Sequence, residues 1–154
     1  MKIDLPKLNL PEYEHKIAEK KGIISIYDEF RHKYVALTPE EWVRQNFIKY
    51  LVNDLGYPKG RINLEMSLTN GKKSKRCDAL VFDTMLNAIL IVECKATHVK
   101  IDQKVFNQIG MYNISLKVEN LIVTNGLVHY YCKIDFNDNK FTFFDQIPQY
   151  NSLL

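Results

Sequence analysis

Two short apolar segments joined by a helical segment constrain the fold of this chain more than any other feature. Residues 88–95 read AILIVECK and residues 119–124 read ENLIVT, and both are as apolar as strands that are covered on both faces. Between them, residues 102–117 carry apolar side chains at helical spacing, which predicts a helix. Because a helical crossover joins parallel strands, we expect the two segments to be parallel neighbours in one sheet.

A second helix is predicted upstream, in the segment that begins TPEEWVRQ. Thr38 is a good N-cap, Pro39 suits the first helical position and Glu41 completes a capping box. Gly56 suits the C-terminal end of this helix. The helix therefore precedes the two apolar segments and supplies a second covering layer for the sheet.

The remaining periodic segments predict further strands. Asn70-Gly71 and Asn125-Gly126 each predict a hairpin, the second with a type I′ turn. The element order predicts an α/β protein with a mixed β-sheet core flanked by helices and an N-terminal β-hairpin. The expected strands cover residues 23–27 and 33–37 (the hairpin), 61–68, 76–82, 127–136 and 140–145.

Length and composition limit the chain to one domain. With 154 residues, 46% of them apolar, there is enough apolar surface for one core and no room for a second domain of normal size. We predict an N-terminal arm over residues 1–20 and a single domain over residues 21–150. No apolar run approaches the ~20 residues that cross a membrane, and the N-terminal residues show no signal region. Three cysteines without a CxxC pair argue against disulfides and favour a reducing cytoplasm.

The net charge is +3, from 21 basic and 18 acidic residues, and does not by itself indicate nucleic-acid binding. Residues 70–76, however, read NGKKSKR and lie just before an acidic residue, Asp78. Two interpretations stay open for this basic run. It is either a solvated turn or a set of backbone phosphate contacts, which would be made by Lys72, Lys73, Lys75 and Arg76.

Three ionisable residues are predicted to meet at the end of the buried strand. Glu93 and Lys95 alternate along it and so share a face, with Cα atoms ~6.6 Å apart. Asp78 opens the preceding strand, and Asp78 and Glu93 lie almost equally far from the turn near Met85. Buried charges are costly unless they pair or bind an ion. The group is therefore either a salt bridge or an oxygen-ligand site for Mg²⁺ or Mn²⁺, with the Cys94 carbonyl as third ligand.

The first helix adds charged residues within its apolar stripe. Arg44 lies in the stripe, and Glu41 and Gln45 flank it, so this part of the helix must face solvent or charged groups. For Glu41 the competing interpretation is its capping-box role. For Arg44 the alternatives are a salt bridge to Glu40 or Glu41 and a contact with a scissile phosphate.

These residues resemble the PD-(D/E)XK nuclease motif, which here would be Asp78, fourteen intervening residues and then Glu93-Cys94-Lys95. The segment Gln108 to Tyr112 resembles the QxxxY motif on the helix that follows in many such nucleases. The stretches PEEWVRQ, RCDALVF, LIVECKA and LIVTNGL are similar to the N-terminal domain of type I restriction enzyme R subunits, most of all to small stand-alone members. The similarity covers about residues 10–150.

The resemblance implies a restriction-endonuclease-like fold and a Mg²⁺- or Mn²⁺-dependent DNA nuclease. Asp78 and Glu93 would be metal ligands, Lys95 the catalytic lysine and Gln108 a support for the site. Glu41 would reach the metal through water.

Two departures accompany the resemblance. Cys77 stands where the motif has proline, and Gly71-Lys72-Lys73-Ser74 lacks the upstream glycine of a P-loop, so ATP-driven translocation is not predicted. A catalytically inactive DNA-binding or assembly module that retains the fold is the alternative function. A homodimer through the N-terminal hairpin and the aromatic C-terminal strand is compatible with the sequence.

Overall fold

The structure, a computed structural model, describes residues 3–65, 67–70 and 73–154, and for residues 67–70, 73–76 and Tyr112 it describes the backbone alone. Its helices are α1 (Pro39–Asp54) and α2 (Gln103–Tyr112). Its strands are β1 (Ile17–Lys20), β2 (Ile23–Asp28), β3 (Lys33–Ala36), β4 (Ile62–Leu64), β5 (Ser67–Asn70), β6 (Lys73–Arg76), β7 (Ala79–Phe82), β8 (Ala88–Cys94), β9 (Asn120–Thr124), β10 (His129–Asp135) and β11 (Lys140–Phe144). None of the helices in these ranges is long and apolar enough to cross a membrane.

The central sheet has six strands in the order β11-β10-β9-β8-β7-β4. β8 and β9 are parallel, with Leu90 paired to Asn120 and Cys94 paired to Thr124, and the other neighbours are antiparallel. The predicted helical crossover and the mixed α/β sheet are therefore confirmed.

The two helices cover opposite faces of this sheet. α1 contributes Phe47 and Leu51 to a core that includes Val92, whereas α2 contributes Phe106 and Ile109 to a second core. Alternate residues of β8 belong to the two cores, as the two-residue repeat of a strand requires. Each face is thus sealed by one helix, which explains why β8 and β9 are almost wholly apolar.

The N-terminal hairpin of β2 and β3 is present and carries β1 as a third antiparallel strand. β1 lies within the segment predicted as an arm, residues 1–20. The arm also packs on the domain, because Leu8 is 9% exposed and belongs to the α1 core. The Asn9 N–H donates to the Gly126 carbonyl over 2.8 Å.

Three local predictions differ from the structure, and each has a visible cause. The strand predicted over residues 61–68 ends at Leu64, because Glu65 takes a positive φ and its N–H donates to the Asp78 carbonyl. α2 stops at Tyr112 instead of residue 117. There the buried Asn113 side chain accepts a hydrogen bond from the Val118 N–H and donates one to its carbonyl.

The turn between β9 and β10 forms a hairpin but is not of type I′. That turn would require a positive φ at both central residues, and among Asn125, Gly126 and Leu127 only Gly126 has one. The Asn125 side chain organises the turn, since its Oδ1 accepts from the Leu127 and Val128 N–H groups.

Candidate active site

Asp78 lies in a bend just before β7, and its side chain extends the β7–β8 ladder. The ladder has its last pair at Ala79 and Val92. Beyond it, the Cys94 N–H donates to Asp78 Oδ2 over 2.7 Å. The ladder thus ends one residue short of a pair between Asp78 and Glu93, and the hydrogen bond to Cys94 keeps Asp78 beside the end of β8.

Burial raises the pKa of the Asp78 carboxyl to about 6, and the nearby charge of Glu40 acts in the same direction. The Cys94 amide hydrogen bond and the charges of Arg44 and Lys95 lower that pKa in part. Charged residues of α1 and at the end of β8 therefore both influence the pKa of Asp78. At neutral pH it is mostly ionised, and a nearby cation would make it more so.

Glu93 and Lys95 lie at the carboxyl end of β8. Glu93 is 8% exposed and pairs in the parallel register with Val123. Since Cys94 belongs to the core under α1 and Val123 to the core under α2, strand alternation assigns Glu93 to the α2 face. The half-buried Lys95 follows the strand, and its N–H donates to the Thr124 carbonyl over 2.8 Å.

A cleft of about 440 Å³ opens beside Asp78 on the α1 side of the sheet. Its lining includes two other predicted site residues, Glu41 and Arg44. The structure thus gathers Asp78, Glu41 and Arg44 around one cavity, next to the strand that carries Glu93 and Lys95. The other lining residues are Thr38, Pro39, Glu40, Glu65, Ala96, His98 and Val99.

Glu41 and Arg44 are held together by a buried ionic network. Arg44 Nη2 donates to Glu41, and Arg31 binds Glu41 over 2.8 Å and Glu65 over 2.9 Å. Arg31 also binds Asp28. Two cations therefore neutralise most of the charge of three carboxylates, and the salt-bridge interpretation of Arg44 describes its main contact.

One donor of Arg44 is left without a hydrogen bond. Arg44 Nη1 is buried and finds no hydrogen-bond acceptor among the described residues. Its ion-pair partner, Asp28 Oδ2, lies 3.8 Å away, beyond hydrogen-bonding distance. The charge of Asp28 therefore compensates this buried donor only in part.

Only one of the two hydrogen bonds of a capping box forms at the start of α1. Thr38 Oγ1 accepts from the Glu41 N–H over 3.0 Å, as predicted for the N-cap. The Thr38 N–H, however, donates to the Ala36 carbonyl, and the Glu41 carboxylate binds Arg31, Arg44 and Gln45. The carboxylate of Glu41 is therefore part of the ionic network.

Gln108 is exposed on α2, on the face of the sheet opposite the cleft beside Asp78. It is thus not among the residues that line that cleft. The Tyr112 side chain, its predicted companion in the QxxxY motif, lies outside the described residues.

The basic run belongs to a hairpin of β5 and β6. β5 and β6 pair from Ser67 with Arg76 to Asn70 with Lys73, directly before the buried Cys77. Lys72 lies outside the described residues, and so do the side chains of Lys73, Lys75 and Arg76. Their predicted phosphate contacts remain predictions.

Sequence reasoning missed Asp28, Arg31 and Glu65, which complete the ionic network. The spacing of Asp28 and Arg31 in a polar turn was a usable signal, because residues three apart in a turn can meet. The sequence around Glu65 contains no comparable signal. Its position depends on the positive φ that ends β4 and on the hydrogen bond to the Asp78 backbone.

The chemistry available here is that of a few carboxylates beside cations. Among the described residues, no group of three His, Cys, Asp or Glu side chains is placed to hold a metal ion. A cation would therefore need ligands from two carboxylates, backbone carbonyls and water together.

The chain is a mixed α/β domain. It has a six-stranded sheet with one helix on each face and a charged cleft beside the strand ends. The family of type I restriction enzyme R protein N termini matches residues 39–148, from the first residue of α1 to beyond β11. The chain belongs to this family. The membership confirms the predicted similarity to the N-terminal domain of type I restriction enzyme R subunits.

A solved structure supports the fold assignment. It is a fragment of a protein assigned as the HsdR subunit of a type I restriction enzyme from Vibrio vulnificus, and it aligns with a TM-score of 0.56 and 19% identity. The alignment covers 76% of this chain and 24% of that one, so this chain spans about a quarter of the length of the solved chain. No curated protein matches the sequence.

Proposed function

We propose that the chain is a divalent-metal-dependent nuclease that hydrolyses phosphodiester bonds in DNA. The observation that carries the proposal is the β7–β8 register, which places Asp78 beside the end of β8 that carries Glu93, with the Cys94 N–H bound to Asp78 Oδ2. Membership of the restriction enzyme R family supports the same reaction class.

Asp78 and Glu93 would hold Mg²⁺ or Mn²⁺, with the Cys94 carbonyl as a further ligand. These are all oxygen donors, the ligand type that hard divalent cations prefer. Glu93 is buried and Asp78 is half-buried, and burial is the main cause of the raised pKa of Asp78. When bound, the ion would supply Lewis acidity and lower the pKa of a bound water.

The cations beside Asp78 have distinct parts in this proposal. Lys95 helps to position the attacking water or stabilises the charge that develops on the phosphate. Arg44, which lines the cleft beside Asp78, would contact the scissile phosphate. The predicted roles of Gln108 and Glu41 are those of positioning residues, and residues 72–76 would contact the DNA backbone.

Isosteric removal of each carboxylate tests the proposal. We expect Asp78→Asn and Glu93→Gln to cut DNA at least ~100-fold more slowly with Mg²⁺ or Mn²⁺, since metal catalysis contributes several kcal/mol. Manganese binding, measured by calorimetry, should weaken in parallel. Asp138→Asn, an exposed acid in the turn before β11, is the matched control and should cleave normally. Cleavage that is unchanged in both site variants would exclude the proposal.

A second candidate function is a catalytically inactive DNA-binding or assembly module. The observation that favours it is the mutual engagement of Glu41 and Arg44, the two α1 charges of the cleft. This candidate predicts equal DNA affinity with Mg²⁺ and with EDTA, and no cleavage with any divalent ion. Circular dichroism of each variant would show that the fold is retained in either case.

A further inference from the structure

Asp78 is fixed from both sides, just before β7. Its side-chain Oδ2 accepts from the Cys94 N–H at the end of β8, over 2.7 Å. On the other side, its backbone carbonyl accepts from the Glu65 N–H over 3.0 Å. This second hydrogen bond continues the β4–β7 register, whose last pair is Leu64 with Ala79. The position of the proposed metal ligand therefore depends on the conformation of Glu65.

Glu65 has a backbone conformation that its residue type does not favour. Its φ is +54°, in the left-handed region that glycine adopts readily and that strains a residue with a Cβ atom. A glycine at this position would make the same backbone hydrogen bond to Asp78 without that strain. The strain at Glu65 is therefore offset by what its side chain binds.

The partner of the Glu65 side chain is Arg31. Glu65 Oε1 lies 2.9 Å from Arg31 Nη1, and Asp28 and Glu41 bind the other two nitrogens of the same guanidinium. The Arg31 backbone is fixed as well, since its N–H donates to Asp28 Oδ1 over 3.2 Å. Because a planar guanidinium that binds three carboxylates has little freedom to move, Arg31 is a rigid anchor for Glu65.

We infer that Glu65 is a positioning residue for Asp78 and that Arg31 holds it in its left-handed conformation. The ion pair keeps the Glu65 N–H directed at the Asp78 carbonyl, so that the Asp78 carboxylate stays beside the end of β8. Residues that hold a metal ligand in place commonly contribute about ten-fold or more to metal affinity. The inference rests on the proposed function, in which Asp78 is a metal ligand.

Two substitutions of Glu65 in the full chain separate positioning from folding. Glu65→Gly removes the carboxylate but suits the positive φ, so its melting temperature should stay close to that of the wild type. We expect this variant to bind Mn²⁺ about ten-fold more weakly in calorimetry and to cut DNA more slowly. Glu65→Gln keeps an oxygen that can accept from Arg31 but loses the charge, so its Mn²⁺ affinity should be intermediate.

Amide hydrogen exchange of the metal-free protein reports on the position of Asp78 directly. If Asp78 is displaced in Glu65→Gly, the Cys94 N–H loses its acceptor and should exchange several-fold faster. Lys117→Gly is the matched control, because Lys117 also has a positive φ, of +53°, but lies in the loop between α2 and β9. The control should show the Mn²⁺ affinity and the Cys94 exchange rate of the wild type.

The outcomes separate this inference from the proposed function. Unchanged Mn²⁺ affinity and Cys94 exchange in both Glu65 variants, while Asp78→Asn still weakens Mn²⁺ binding, would overturn the positioning role and leave the nuclease proposal intact. A loss of Mn²⁺ affinity that matches a loss of folded protein in both variants would show a structural role and overturn the inference too. If the wild type binds no Mn²⁺ and cuts no DNA, the nuclease proposal and the inference are both refuted.

Discussion

At the scale of single residues, Arg44 keeps its charge inside the apolar stripe of α1 because acidic groups surround it. Its side chain is 3% exposed and contacts Glu41, with Asp28 and Glu65 at 3.8 and 4.0 Å. Its position in the stripe is readable from helical periodicity. Its partner Glu41, one turn away on α1, is also readable, but Asp28 and Glu65 are not, because they come from β2 and from the residue after β4.

Replacement of Arg44 should destabilise the fold strongly. Arg44→Met leaves the buried carboxylates of Asp28 and Glu41 with less compensation, so we expect the free energy of unfolding to fall by about 3–5 kcal/mol. Lys59→Met is the control, since it removes an exposed ion pair to Glu29 and should cost less than ~1 kcal/mol. Urea denaturation measures both. Equal losses for the two variants would contradict a buried network.

At the scale of elements, the β9–β10 hairpin shows how a turn is selected by what packs on it. Gly126 has φ +83°, and a Cβ there would lie 2.8 Å from Leu8 Cδ2 and 3.2 Å from Val43 Cγ2. The Gly126 carbonyl also accepts from Asn9 of the arm. The glycine therefore serves both the turn conformation and the docking of the arm against α1.

Gly126→Ala should accordingly lower the free energy of unfolding by about 1–3 kcal/mol, through backbone strain and crowding at Leu8 and Val43. Gly60→Ala is the matched control, because a Cβ at Gly60 meets no atom within 4 Å. We expect the control to change stability by less than ~0.5 kcal/mol. Thermal unfolding of both variants is the measurement. An unchanged free energy of unfolding in Gly126→Ala would show that the arm does not crowd the turn.

At the scale of the whole molecule, His129 joins the arm to the central sheet. Its Nε2 lies 2.8 Å from the Asn9 carbonyl, which can only accept, so Nε2 carries the proton. Nδ1 then accepts from the Thr124 hydroxyl over 2.7 Å. Both contacts are satisfied by the neutral ring. Protonation of Nδ1 would reverse the second, so that Thr124 Oγ1, which already accepts from the Gly126 N–H, would have to accept from Nδ1 as well.

This arrangement predicts a loss of stability in acid. Burial lowers the pKa of His129 below its ordinary value of 6.5, against a smaller raising effect of the Asn9 carbonyl. The unfolded chain therefore takes up a proton at higher pH than the folded chain, and stability falls as the pH drops below 6.5. His129→Gln should reduce this decrease in melting temperature between pH 7.5 and pH 5. An identical pH profile in wild type and variant would contradict it.

The elements with strong local signals were predictable from the sequence. Thr38 and Pro39 begin α1 as predicted, and the parallel pairing of β8 with β9 follows from the helical crossover between two apolar segments. The equal spacing of Asp78 and Glu93 from the turn near Met85 likewise anticipated the register of β7 and β8. These features depend on periodicity, capping and chain connectivity, which are properties of neighbouring residues.

The surroundings of the candidate site were decided by the tertiary structure. Arg31 and Glu65 join the network of Arg44 only because β2, β4 and α1 pack together. The sequence by itself determined the order of the elements and the placement of Asp78 beside the end of β8 that carries Glu93. Which side chains face a shared cavity depends on contacts between residues distant in the chain, and local spacing does not encode them.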